Sequence, residues 1–132
     1  MTDLPDLYFR IRDNGAAVFR ISTENRERRI EMDQIAVVNT NRRDFKAQGD
    51  NTLSPEEETV INDWVQSRLA VLAARDVDDI HRAIDHLNLT AQWAQAKATD
   101  AQLEEITDDL LMAMHDLRSV LVRKKADRVG KS

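Results

Sequence analysis

The chain has 132 residues, 24 acidic against 19 basic, a net charge of -5 and no cysteine. That length suits one domain able to bury a core without metals or cross-links. The lack of thiols excludes disulfides, cysteine nucleophiles, thiolate zinc sites and iron-sulfur clusters.

The start, Met1-Thr2-Asp3-Leu4-Pro5-Asp6, lacks the basic and apolar regions of a signal peptide, and the apolar run from Leu69 to Ala74 is bounded by Arg68 and Arg75. A cytoplasmic protein with no membrane span is therefore expected. Charge is unevenly placed. Residues 1–53 carry 9 basic and 9 acidic side chains, residues 54–117 carry 4 and 14, and residues 118–132 carry 6 and 1. So acidic a middle repels phosphate backbones, which argues against general nucleic-acid binding as a function class.

In chain order, Leu7 to Ser22 contains two alternating runs around Asn14-Gly15, a pair suited to a type I′ hairpin turn. With the turn centred there, Leu7, Phe9, Ile11, Phe19 and Ile21 share the core face. Tyr8, Arg10, Arg12, Val18 and Arg20 then take the other. After a polar stretch from Thr23 to Glu27, residues 28–39 form a third strand whose period breaks at Gln34 or Ile35, which predicts a bulge or a second half covered on both faces. The turn-rich residues 40–53, with Asn41, Gly49, Asp50 and Asn51, read as a linker.

Ser54-Pro55-Glu56-Glu57 starts a helix with a capping box and ends the linker. This first helix runs to about Ala74, with Val60, Ile61, Trp64, Val65 and Leu69 on a broad apolar face. Asp76 caps a second, with the stripe Val77, Ile80, Ile84, Leu87, Ala91, Ala94 and Ala98 and a weak point at Asn88 to Thr90. Thr99 and Gln102 box a third. Its stripe is Leu103, Ile106, Leu110, Ala113, Leu117 and Val120, widened by Leu111, Met114 and Leu121. Residues 123–132 read as a basic, frayed tail. The expected fold is a single α+β domain: a three-stranded antiparallel β-meander over residues 7–39, then a three-helix antiparallel bundle over residues 54–122 packed on one face of the sheet.

Chemistry has few footholds. Gly15, Gly49 and Gly130 are the only glycines, so no phosphate loop or dinucleotide fingerprint can be written and no cofactor is expected. His81 and His86 diverge around a helix, which argues against a zinc site. His81 with Asp85 could orient a base, yet no nucleophile motif accompanies the pair. Glu104, Glu105, Asp108 and Asp109 form two one-turn carboxylate pairs, which with ligands from elsewhere could hold Mg²⁺ or Mn²⁺ for a hydrolase. The pattern resembles the paired-carboxylate helices of all-α NTP pyrophosphatases, whose metal site needs a second acidic motif on a later helix. No such motif follows, and an acidic first turn complements the helix dipole without any metal.

The nucleic-acid alternative rests on Tyr8, Arg10, Arg12 and Arg20 on the hairpin, Arg42 and Arg43 in the linker, and the basic tail. Glu31 and Asp33 on the neighbouring strand would neutralise that face. Leu89 and Trp93 fall off the second helix's stripe by helical phase and mark a second apolar patch, which is either covered by the sheet or by the Asn41 to Asn51 linker, the reading slightly favoured, or open as a docking surface. The leading expectation is thus a non-enzymatic protein-interaction domain, an adaptor, regulator or small subunit, whose partner is another protein or a second copy of itself.

Overall fold

The computed structural model of the chain describes residues 7–22 and 29–130, so the expected polar loop at 23–27 and strand start at Arg28 lie outside the described residues. It is α+β, with strands β1 (Leu7–Arg12), β2 (Gly15–Ser22), β3 (Glu31–Asn39) and β4 (Asp44–Ala47), and helices α1 (Pro55–Ala96) and α2 (Asp100–Gly130). The strands form one antiparallel sheet in the order β1-β2-β3-β4. Four strands replace the expected three, and two helices replace three. By contact density the chain divides into two compact units, Met1–Asp79 and Ile80–Ser132.

The hairpin forms one residue out of the expected position. Arg12 pairs with Gly15, so the connecting residues are Asp13 and Asn14, and Asn14 does not take positive φ. Because strand side chains alternate with period two, this slip reverses the faces of β2. Phe9 lies opposite Val18 and Leu7 opposite Arg20, whereas Phe19 pairs with Tyr8. Val18 is therefore fully buried in the core, and Phe19 packs on the other side against the Tyr8 ring at 6.3 Å, with the Arg10 guanidinium 4.5 Å from its centroid. Gly15 is required by proximity: a Cβ there would sit 1.8 Å from the Val38 carbonyl oxygen.

The bulge appears where the period breaks. Val18 pairs with Ala36 and Phe19 with Gln34, leaving Ile35 as the extra residue. Its side chain is fully buried, while its carbonyl accepts from the Gln48 amide at 2.7 Å. Strand β4 occupies part of the stretch read as a linker. Its entry turn is built by the Asn39 side chain, which accepts from the Arg42 amide at 2.9 Å, and by Arg43 at φ 63°. Asn51 then ties the following loop down, donating to the carbonyls of Gln34 and Gln48 at 3.2 and 2.6 Å.

The core of the first unit joins Leu7, Ala16, Val18, Ile35, Ala36 and Val38 of the sheet to Ile61 and Val65 of α1. Phe9 stacks on Trp64, ring centroids 4.6 Å apart. Ser54 and Glu57 make the predicted capping box: the Ser54 amide donates to Glu57 Oε1 at 3.0 Å and the Glu57 amide to Ser54 Oγ at 3.1 Å. The same carboxylate receives Nε and Nη2 of Arg20 at 2.8 and 2.9 Å, so one side chain both starts the helix and clamps it to β2.

That bidentate contact, with the Ser54 amide assisting against partial burial, holds the Glu57 carboxyl at about 2, below its ordinary 4.5, and raises the Arg20 guanidinium. A carboxyl with a lowered folded-state value stabilises fully above its unfolded value and loses that contribution as pH falls. Arg20 is 44% exposed, so water screens the pair and its worth is about 0.5–1 kcal/mol. Glu57→Gln keeps the cap but loses the charge. In urea unfolding it should be less stable than the parent by that amount at neutral pH, and the gap should close between pH 4.5 and about 2.

Helix α1 runs unbroken through Asp76 and through Asn88 to Thr90. At Asp76 no glycine or proline interrupts Ala73-Ala74-Arg75, and an exposed aspartate inside a helix costs only about 0.7 kcal/mol. At Thr90 the hydroxyl donates back to the His86 carbonyl at 2.7 Å, staying inside the helical pattern. Thr99 and Gln102 cap α2 as expected, at 3.0 and 3.2 Å. The expected frayed tail is helix as far as Gly130. Among the described residues no helix is long and apolar enough to cross a membrane.

Candidate docking surface

The second unit consists of α1 from Ile80 onward and α2, joined by a turn at 97–99. Near the turn the two helices share apolar contacts: Trp93, Leu103, Ile106 and Leu110 are each half-buried. Away from it, residues 80–89 of α1 and residues 111–130 of α2 are exposed without interruption. The stripes expected to zip the bundle thus stand open, with Ile84, Leu87 and Leu117 on the surface.

Between the helices lies a groove of about 900 Å³. Its floor and walls come from Leu87, Leu89, Thr90, Trp93, Ile106, Leu110 and Ala113, with His86, Glu105 and Asp109 among the lining. Leu89 and Trp93, singled out by helical phase, are brought together here, Leu89 being 62% exposed. An apolar channel with a few ionisable groups suits apolar side chains of a partner.

Helix α2 departs furthest from the ordinary pattern of a folded domain. None of its 31 residues is buried. Around residues 111–122, Leu111, Met112, Met114, Leu117, Val120 and Leu121 point in nearly every direction around the axis, and all are exposed. One neighbouring helix cannot cover such a distribution, even with His115, Asp116, Arg118 and Ser119 interspersed, so part of the apolar surface is left for a partner. This surface was signalled in the sequence by the residues that widen the stripe, Leu111, Met114 and Leu121.

The other candidate residues are dispersed. Tyr8, Arg10 and Arg12 alternate on the outer face of β1, whereas Arg20 lies on the opposite face of the sheet and is held by Glu57. Arg42 is beside Asp44 at 3.4 Å, and Arg43 follows it in the β3-β4 turn. Of the four carboxylates considered for a metal, Glu105 and Asp109 line the groove, while Glu104 and Asp108 are exposed elsewhere on α2. Among the described residues, no three His, Asp or Glu side chains are placed to hold a metal ion. His115 contacts its neighbour Asp116 at 3.5 Å, and His86 lines the groove.

No family model, no curated protein and no solved structure matches the chain.

Proposed function

We propose that the chain is a non-enzymatic protein-interaction domain, serving as an adaptor, regulator or small subunit, and that the helical pair of its second unit is the docking element. The carrying observation is that α2, 31 residues long, buries no residue. Isolated helices are marginal in water, and helical stability in proteins comes mostly from packing of an apolar face. Leu111, Met112, Leu117 and Leu121 each still expose more than half of their surface, so burial by a partner is worth about 1 kcal/mol or more apiece. The sheet unit acts in this reading as a folded anchor for the docking helices.

Leu89→Glu tests the reading, because Leu89 already faces water and its loss leaves the core intact. A protein retained from native lysate by the immobilised parent chain should be lost at least tenfold by this variant. Equal retention by both chains contradicts the proposal. Salt-sensitive binding of short single-stranded or duplex DNA at low salt would instead favour the Tyr8, Arg10 and Arg12 face.

A further inference from the structure

We infer that the occupant of the open α2 surface is α2 of a second copy of this chain, lying antiparallel across a two-fold axis. The inference rests on the docking reading above and gives it a partner. Two observations carry it: an unburied, largely apolar middle and opposite charge at the two ends of one helix.

The middle of α2 is rich in apolar side chains, Leu111, Met114, Leu117, Val120 and Leu121 among them, and none is buried. Its ends carry opposite charge. Asp100, Glu104, Glu105, Asp108 and Asp109 give the N-terminal third five acids and no base, whereas Arg123, Lys124, Lys125 and Arg128 dominate the C-terminal third against Asp127 alone, with Arg118 just before it. Two parallel copies would set acid against acid and base against base. Two antiparallel copies set the acidic third of each against the basic third of the other while the apolar middles meet. A two-fold axis makes this self-complementary, because each charged patch finds its complement on the same surface of the partner copy.

Charge reversal tests the arrangement on the full chain by light scattering and sedimentation. The parent should run at twice 15.1 kDa. One variant carries Glu104→Lys, Glu105→Lys, Asp108→Lys and Asp109→Lys; the other carries Arg118→Glu, Arg123→Glu, Lys124→Glu and Lys125→Glu. Each alone should dissociate, with a dissociation constant raised at least 100-fold. Mixed in equal amounts they should recover the doubled mass, since the reversed acidic third of one meets the reversed basic third of the other. A single chain carrying both sets should recover it too. The inference is overturned if both variants associate as the parent does, or if the mixture and the doubly reversed chain stay at 15.1 kDa while circular dichroism shows their helices intact. A parent chain that remains at 15.1 kDa up to about 1 mM also overturns it. If that monomer still loses a captured protein through Leu89→Glu, the second copy is refuted and the docking reading survives.

Discussion

Gly15→Ala should destabilise the sheet unit by roughly 3 kcal/mol or more, shifting its urea midpoint far below that of the parent. The added Cβ would meet the Val38 carbonyl oxygen at 1.8 Å and its carbon at 2.7 Å. Both are backbone atoms of a strand paired on two sides, so no side chain can swing away to relieve the contact. The sheet must open between β2 and β3, beside Ala16, which is buried in the core. Gly49 provides the contrast. It has φ +59° and nothing near its missing Cβ, so Gly49→Ala carries only the left-handed backbone penalty of about 1–2 kcal/mol. Matching losses at the two glycines would refute the close-approach explanation.

The second large effect separates the two units. Ile61 is fully buried where α1 meets the sheet, and Ile61→Ala should remove about 3–4 kcal/mol through lost transfer energy and the cavity left behind. Only ten apolar residues are buried among the described ones, so this is a large fraction of the roughly 5–15 kcal/mol that holds a typical domain folded. Leu117→Ala removes a comparable side chain from α2, yet Leu117 is 54% exposed. In a dilute monomer it should leave the melting temperature within about 2 °C of the parent, since alanine is at least as good a helix former. In the associated state it should weaken self-association about tenfold or more, because the side chain is then buried. Calorimetry at two protein concentrations distinguishes these outcomes: equal losses for Ile61→Ala and Leu117→Ala at high dilution would contradict the division between a packed unit and an open one.

Local signals in the sequence carried the α+β class and the starts of both helices. The two capping boxes, at Ser54 with Glu57 and at Thr99 with Gln102, place both helix starts because each uses side chains three residues apart. The broken period at Ile35 marks the bulge for the same local reason. What was not legible depended on competition or distance. Asn14-Gly15 reads as a turn, but the approach of Val38 claims Gly15 for the strand, moving the connection to Asp13 and Asn14 and exchanging the faces of Val18 and Phe19. Strand β4 has four residues and one large apolar side chain, too short for alternation to register. Asp76 looks like a cap, yet nothing nearby breaks a helix, so α1 continues through it. The Arg20 clamp on Glu57 joins residues 37 apart, a pairing no periodicity announces.

At the docking surface, helical phase separates Leu89 and Trp93 from the main stripe without showing what lies opposite. That information came from α2, which supplies Ile106, Leu110 and Ala113 to the same groove. The wide apolar distribution around Leu111 to Leu121 was written in the sequence. Its exposure was not, because a broad stripe is equally compatible with burial inside a bundle of three helices.

Amide hydrogen exchange on the chain diluted until scattering reads 15.1 kDa tests most directly whether α2 lacks a partner within its own chain. Residues 111–122 are expected to exchange with protection factors below about 100, while Val18 and Ile35 in the sheet core stay protected by several orders of magnitude more. Protection at 111–122 equal to that of the sheet core, in the same monomer, would show that the chain covers this helix by itself and would contradict the account.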